Sequence, residues 1–540
     1  MSGRSRLRQV MRGYRALKKA GDLPRIMNAK IALTNLVLDI PVSKTSKLIF
    51  GVGTPHAEIA TRQFLLLRLA SFNLNKKLLA TLGKPGDSLV HPLPPQWRDS
   101  LQRSGFSVAK FRCALAWQGY LILAIGYGAA QIARGFAAGV KSLFQGKRNR
   151  PGRFVYFHGI TRSELPQPGA DGRSHDLVTW YLHWPGHAPN LQSACHSVAG
   201  APTCNVGEVA VMAIDRDPPF SSFAQWLRFL AWSAAAVLIA AVDVLRGRWW
   251  NALMLYDGAR ACRIRLQDSG VLAREYLFPN STASHRPLWT YEAERKGSRV
   301  TFYFYSTNCD QFKAREGYRP TQYLWQAMNW SRYLVWDQEQ ANFVRRAVGD
   351  AASVEVVGPI WFSASAVEMP RLLPNTIAVF DIQPRRKSFM VTLGIETEYY
   401  IPEICNRFLL DVHEAARQRG WLVAWKRKRS MARNPRIAVS RSYEAAGERL
   451  ALSQHLISID PATSAFRVIE ASSMVISLPF TSTALIARSL GKPSYYYDPS
   501  RIVQKDDRSA RGIPVISGVE ELRELLKMKI AAPTSADAAL

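Results

Sequence analysis

The stretch Met474–Pro499, MVISLPFTSTALIARSLGKPSYYYDP, permits few folds, because a strand, a tight turn, a helix, a glycine stop and a second strand follow one another without a break. Met474–Leu478 is a short, apolar, partly β-branched run of the kind that forms a buried parallel strand, and Ser482 or Thr483 can cap the helix after it. Gly491 ends that helix and Pro493 opens Ser494–Tyr497 as the next strand. A βαβ unit of this kind packs right-handed and leaves its first turn at the carboxyl edge of a parallel sheet, where such sheets bind ligands. Thr481, Ser482 and Thr483 place hydroxyls and backbone N–H groups at a helix N-terminus, where the partial positive charge favours a phosphate or a carboxylate. The plainer alternative is that the hydroxyls only cap the helix.

The turn itself reads Pro479-Phe480-Thr481-Ser482. It resembles the bacterial surface-polysaccharide biosynthesis proteins that share a Pro-Phe-Thr-Ser motif. More loosely, the unit is similar to the donor half of two-domain GT-B glycosyltransferases and of polyol-phosphate transferases, in which a strand, Ser/Thr turn, helix and Gly-Lys-Pro hold the diphosphate of a nucleotide-linked donor. The resemblance is strongest over residues 375–500, patchy over 150–345 and slight before 150. Arg286-Pro287-Leu288-Trp289-Thr290 and Tyr303–Asn308 belong to it without a role that can be derived. It implies a glycosyltransferase, with a polyol-phosphate transferase as second choice.

A chain of 540 residues exceeds one ordinary domain. Its 71 Lys and Arg against 41 Asp and Glu give a formal charge of +30, which calls for an anionic partner: phosphorylated substrate, acidic membrane face or nucleic acid. A hydrophobic fraction of 47% with 15 Trp excludes a disordered polycation. The six cysteines show no C-x-x-C, so neither a disulfide framework nor a zinc ribbon is expected, and Cys195-His196 with Cys204 lacks a fourth ligand at useful spacing.

Residues 1–25 carry eight cations, with Leu7, Val10, Met11, Tyr14 and Leu17 at helical spacing. A basic amphipathic helix results, suited to an anionic membrane surface; a targeting peptide and a solvated helix have similar composition. We bound the domains as a basic N-terminal segment (1–45), an acceptor-side α/β domain (46–365), a donor-binding α/β domain (375–530) and a tail (531–540). Leu89–Leu93, Trp97–Arg103 and Phe106–Val108 read as strand, helix and strand. Cys113–Ala133 is uncharged and long enough to span a bilayer, whereas Phe229–Val242 is short for a span. Between them Arg153–His158, Leu177–Trp184 and Glu208–Ile214 read as strands of one sheet, which cannot be split across a membrane. Cations flank both apolar runs on both sides, which opposes a simple crossing. Helices near 113–133 and 229–242 that dip into the cytoplasmic leaflet are therefore expected, with two buried core helices as the alternative.

Leu253–Leu255 reads as strand-like, Ser298–Tyr305 as a strong strand, and Trp325, Trp330 and Trp336 as a core stripe on a helix over 323–343. After Val354–Pro359 the pattern becomes regular: strand Thr376–Asp381, helix Pro402–Gly420, strand Trp421–Trp425, strand Leu456–Ile459, helix Ser464–Ala471, the opening unit, and helix Val519–Met528. Such alternation means a doubly wound parallel sheet. The fold class expected is α/β, two Rossmann-like domains, which the resemblance implies are in a GT-B-like arrangement, with two apolar membrane-associating helices inserted in the N-terminal half.

Lys426, Lys428 and Arg429 follow a strand and fall at the same carboxyl edge as Thr481, Ser482 and Thr483, where the resemblance implies a cluster that grips donor phosphates; Arg467 is a weaker candidate. A transferase needs a base, and His158, followed by Gly159, ends a strand of the facing half, as in the His-Gly of polyol-phosphate transferases; Asp381 and His183 come after it. Asp215-Arg216-Asp217 matches a metal-binding D-x-D, but the GT-B type works without one, and no metal or cofactor is expected. The function expected is transfer from a nucleotide sugar or similar donor to a lipid-linked or polysaccharide acceptor, at the cytoplasmic face of the bacterial inner membrane, peripheral or monotopic. A non-catalytic membrane-anchored scaffold of a polysaccharide assembly complex is the alternative; a polyanion-binding protein rests on charge alone, with no specific nucleic acid implied.

Overall fold

The computed structural model describes residues 3–36, 43–51, 57–144, 152–166, 176–215, 217–280, 285–307, 312–319, 321, 323–360, 367–385, 399–428 and 440–527. The expected tail 531–540 and Arg429 lie outside them. The chain opens with helices α1 (Gly3–Lys19), α2 (Arg25–Asn35), α3 (Lys44–Phe50), α4 (Ala57–Arg68), α5 (Phe72–Leu82), α6 (Pro95–Arg103) and the long α7 (Lys110–Phe144). The strands expected at Leu89–Leu93 and Phe106–Val108 reduce to one isolated parallel bridge, Leu89 with Val108. This part of the chain is helical rather than α/β.

The amphipathic pattern of α1 is real, but its apolar face is used inside the protein. Val10, Tyr14 and Leu17 are buried, and a Cβ on Gly13 would come within 1.9 Å of the Leu79 carbonyl oxygen on α5. Two helices that approach so closely need glycine at the crossing. Arg6, Arg8, Arg12 and Arg15 remain exposed on the opposite side.

The first sheet contains β1 (Phe154–Phe157), β2 (Ser193–His196), β3 (Cys204–Val206), β4 (Val209–Ala213), β5 (Glu275–Pro279), β6 (Arg299–Tyr303), β7 (Arg332–Val335) and β8 (Ser353–Val356), in the order β3-β4-β2-β1-β5-β6-β7-β8. All pairs are parallel except β3 with β4. The helices around it are α8 (Leu177–His183), α9 (Phe223–Leu245), α10 (Trp250–Leu266), α11 (Trp289–Arg295), α12 (Tyr323–Gln326) and α13 (Gln338–Val348). The second sheet, β9 (Thr376–Phe380), β10 (Leu422–Lys426), β11 (Leu456–Ile459), β12 (Met474–Ser477), β13 (Ser494–Asp498) and β14 (Val515–Ser517), runs β11-β10-β9-β12-β13-β14 and is wholly parallel. Its helices are α14 (Pro402–Arg417), α15 (Arg441–Ala451), α16 (Ala465–Glu470), α17 (Ser482–Ser489) and α18 (Gly518–Leu525).

Counting parallel strands in chain order, both sheets have the Rossmann order 3-2-1-4-5-6, the first with one strand more. Each reverses direction once, between β1 and β5 and between β9 and β12. These two switch points are where a doubly wound sheet opens a crevice at its carboxyl edge.

Three further expectations in the first half are corrected. Leu177–Trp184 is helix α8: the Asp176 carboxylate accepts the Thr179 N–H at 2.9 Å as an N-cap, and Leu177, Val178 and Tyr181 form one buried face. Leu253–Leu255 lies in the first two turns of α10, whose neighbours bury it on nearly every side. The tryptophan stripe is no single helix, since α12, β7 and α13 divide it, although Trp330 and Trp336 are core residues.

Candidate functional site

The turn that joins β12 to α17 is built on one unusual backbone. Phe480 has φ +65°, the left-handed region that a bulky side chain enters only when its surroundings impose it. Its ring is held by Phe312 at 5.0 Å and edge-on by Tyr496 at 5.6 Å. The Tyr400 hydroxyl donates to the Pro479 carbonyl and the Tyr496 hydroxyl to the Thr481 carbonyl, each at 3.0 Å.

Thr481 sits at the N-cap of α17 with extended backbone, but its hydroxyl makes no capping bond. It donates instead to the Leu478 carbonyl at 3.0 Å, and Thr483 shares bonds with Ser477 at 2.9 Å and Thr481 at 3.2 Å. The three hydroxyls therefore tie the turn together, while the helix keeps the dipole and the first-turn N–H groups that suit an anion.

Ser482 looks across to the other half. Its Oγ lies 3.2 Å from the Thr307 hydroxyl and accepts the Thr307 N–H at 3.3 Å. Thr307 follows β6, so the carboxyl edges of the two sheets face each other. Arg511 fastens the same seam: buried, it donates to the Thr307 carbonyl at 3.2 Å and to Asp337, just after β7, at 3.1 Å.

Asp381 follows β9, the strand beside β12, and so stands at the switch point. It points into the domain, 5% exposed. The Tyr443 hydroxyl on α15 donates to its Oδ2, while Oδ1 meets no hydrogen-bond partner among the described residues. Burial raises this carboxyl from 3.8 to about 7, against the smaller opposite effects of the Tyr443 bond and the Arg427 charge.

Lys426 ends β10, which is separated from β12 by β9, roughly 10 Å from the turn. Its ammonium is buried and donates to the Pro461 carbonyl at 3.1 Å, on the side away from Thr481; burial lowers its pKa. Lys428 is exposed beyond it. Arg427, between the two lysines, stacks 5.0 Å above the Trp425 ring. Arg467 reaches the Val367 carbonyl at 3.5 Å.

His158 follows β1 at the other switch point, and its N–H donates to the Leu277 carbonyl at 2.8 Å. Its ring is 6% exposed, stacked on Phe278 at 4.3 Å with Tyr156 and Trp289 beside it. Trp289 belongs to the Arg286–Thr290 segment singled out in the sequence, and the Arg260 guanidinium lies 4.5 Å from its ring. His183 is at the end of α8, its Nδ1 2.7 Å from the Thr179 carbonyl. Asp217 is neutralised by Arg260 at 2.6 Å and Arg263 at 3.7 Å rather than left to a cation. No cluster of metal-ligating side chains occurs among the described residues.

The structure thus gathers Thr481, Ser482 and Thr483 with Asp381 behind them, sets Lys426 one strand further out, and holds His158 at the switch point of the other sheet, buried in an aromatic cage. Thr307 and Arg511 were missed as site residues. Thr307 was within the quoted Tyr303–Asn308, but nothing in its own surroundings signals a partner in the other half.

These features define a class: an α/β protein of two Rossmann-ordered domains whose carboxyl edges meet at a Ser/Thr-rich helix N-terminus. Residues 231–526, more than half of the chain, match the family of polysaccharide biosynthesis PFTS motif proteins, and the protein belongs to that family. The motif in question is the turn Pro479–Ser482.

Among solved structures, similarity is found to Arabidopsis thaliana UGT89C1 (11% identity, 70% of this chain and 89% of that one, TM-score 0.35). It is found also to the calicheamicin glycosyltransferase CalG4 (10%, 71% and 91%, TM-score 0.31) and to Anabaena HepE in complex with UDP and glucose (9%, 69% and 89%, TM-score 0.31). The strand orders above carry the fold. No curated protein matches the chain significantly.

Proposed function

We propose that the protein is a membrane-associated glycosyltransferase of bacterial surface-polysaccharide synthesis, working at the cytoplasmic face of the inner membrane. It transfers a sugar from a nucleotide-linked donor, held by the C-terminal half, to a lipid-linked or membrane-proximal acceptor presented by the N-terminal half. The observation that supports this best is the seam itself: the switch-point turn of one Rossmann sheet faces the carboxyl edge of another through Ser482 and Thr307.

In this reading the first-turn N–H groups of α17 receive the donor diphosphate, with Lys428, just after β10, supplying charge; Arg429, next in sequence, lies outside the described residues. As the acceptor hydroxyl attacks the anomeric carbon, the bond to the diphosphate breaks and negative charge grows on the departing nucleotide. Fixed N–H dipoles and cations stabilise that charge without reorganising. The acceptor's proton passes to His158, the base nearest the N-terminal switch point. Lys426 serves to hold the β10 and β11 loops rather than to touch the donor, since its ammonium is already bonded to Pro461.

Burial of His158 and Asp381, 6% and 5% exposed, together with the engagement of Ser482 by Thr307, favours a second reading, the non-catalytic scaffold that retains the fold. One experiment separates the two. The thermal stability of the purified chain is followed against a panel of nucleotides and nucleotide sugars, beside Lys428→Ala, Thr481→Ala and Thr481→Ser. A ligand that binds only the folded state must raise its melting temperature. Stabilisation by one nucleotide family, lost in Lys428→Ala and Thr481→Ala and kept in Thr481→Ser, supports the transferase. A chain that no donor stabilises is the scaffold.

A further inference from the structure

We infer that the outer faces of α7 and α9 form one surface that lies in the plane of an anionic phospholipid leaflet without crossing it. This deepens the membrane-associated part of the proposed function and rests on that part, not on the chemistry of the cleft.

The sequence of α7 contains no acidic residue, and the single acid of α9, Asp243, is buried and receives the Asn251 amide at 2.6 Å. On α7, Phe111, Leu115, Ile122, Leu123 and Tyr127 are 54–81% exposed; on α9, Phe223, Leu227, Leu230, Leu238 and Leu245 are 40–87% exposed. On α9 the five positions keep to one stripe along the helix, and on α7 Phe111, Leu115 and Ile122 share a stripe that Leu123 and Tyr127 widen. They are ten of the sixteen exposed large apolar side chains among the described residues. Such a surface is on the order of 1,000 Å², against a few hundred on an ordinary soluble monomer.

The two stripes lie side by side. The helices pack antiparallel, with Phe136 of α7 at 4.8 Å from Trp226 near the start of α9, and Trp117 at 5.4 Å from Trp249 beyond its end.

Their inner faces settle the orientation. Cys113, Trp117 and Leu121 of α7 are buried, and a Cβ on Gly128 would come within 2.7 Å of Leu255 on α10. That helix carries Arg260 and Arg263, both paired to Asp217. A pair of helices seamed along its length to a body with ionised residues cannot be surrounded by lipid, so only the outer faces can enter the bilayer.

Charge selects the occupant. Arg112, Arg134, Arg228 and Arg246 are exposed along and at the ends of the stripes, and no exposed acid accompanies them on either helix. Apolar stripes rimmed by arginine fit acyl chains below and anionic headgroups around. A second protein would have to supply a large apolar face ringed by acids.

The test is co-sedimentation of the purified full chain with phosphatidylcholine vesicles, with and without phosphatidylglycerol. Three proteins are compared: the native chain, a variant with Leu115, Ile122, Leu227 and Leu238 changed to Ser, and a variant with Arg8, Arg12 and Arg15 changed to Gln. The native chain should bind, more strongly to anionic vesicles, and the four-serine variant should lose about tenfold or more. The α1 variant should lose little.

A readout that needs no disruptive change accompanies it. An environment-sensitive dye on Leu123→Cys should shift to the blue on vesicles, and the same dye on Leu452→Cys, 86% exposed in the other half, should not. Binding that is lost in the α1 variant but kept in the four-serine variant, or a silent dye at 123 on bound protein, overturns the inference and leaves membrane association standing. A native chain that ignores vesicles, or self-associates through this face instead, overturns both. Neither result bears on donor binding in the cleft.

Discussion

Replacing Asp381 by Asn should make the protein more stable at mildly alkaline pH and leave it nearly unchanged in mild acid. In the native fold the carboxyl is held near 7 by burial, against 3.8 for an ordinary aspartate. Between those values the folded protein keeps a proton that the unfolded chain has already released, so native stability falls as pH rises from about 4 to about 7. Above about 7 both states are ionised and the loss is complete. The interval corresponds to roughly 4 kcal/mol, at 1.36 kcal/mol for each tenfold change in proton affinity. Asn has the same shape, carries no charge at any pH, and its carbonyl can still accept the Tyr443 hydroxyl. The gain over the native chain should therefore be near zero at about pH 4 and reach about 4 kcal/mol at about pH 8. Urea unfolding followed by hydrogen exchange of the β9, β10 and β12 amides reads the domain that contains the residue, and the difference between variant and native cancels the other titrating groups. A gain of equal size at both pH values would refute the argument, because the carboxyl would then not be titrating in this interval.

Lys30 gives the mirror case: burial lowers its ammonium to about 7 from 10.5, so native stability rises with pH across that interval, and Lys30→Met should stabilise most at or below neutral pH and least near pH 10 in thermal melts. Phe480→Gly and Phe480→Ala both lose the packing on Phe312 and Tyr496, but alanine keeps the cost of a positive φ, so Gly should be the more stable variant by about 1 kcal/mol in denaturant titration. Arg511→Ala removes the bonds to Asp337 and the Thr307 carbonyl and should cost about 3 kcal/mol, with a larger radius of gyration in solution scattering as the two halves part; an unchanged radius would mean that other contacts hold the seam.

The second half of the chain was legible because its elements are short, alternate strictly and are punctuated by Gly and Pro. Leu456–Ile459 was placed to the residue, and Met474–Leu478 and Thr376–Asp381 within one. The helix Arg441–Ala451 escaped notice because its buried face offers only Tyr443, Gly447 and Leu450. In the first half, burial on all sides erases the period that tells helix from strand. The segment Leu253–Leu255 is the clearest example, lying in a helix with residues from Trp250 to Ile264 almost continuously buried. Of the site, the turn could be found from local pattern alone. The contact of Ser482 with Thr307 could not, because it joins residues 175 positions apart.

The same geometry changes what the Pro-Phe-Thr-Ser motif can be taken to mean. Its proline carbonyl is an acceptor for Tyr400, its phenylalanine supplies the left-handed bend, its threonine hydroxyl ties the turn to Leu478, and its serine bridges to the opposite half. Each residue has a job in shaping the turn or closing the seam before any ligand arrives. What remains for a ligand is the main chain: N–H groups at the start of α17, aimed by a left-handed bend that a phenylalanine rarely adopts. Backbone strain of this kind persists only where the surroundings over-determine it, and it is concentrated where a precise arrangement is needed. A donor held by main-chain N–H groups would tolerate loss of a hydroxyl that leaves the bend intact and would not tolerate loss of the bend. The motif is therefore better tested at Phe480 than at Ser482. Donor stabilisation should fall more in Phe480→Gly, which frees the bend, than in Ser482→Ala, which removes a bridge to Thr307.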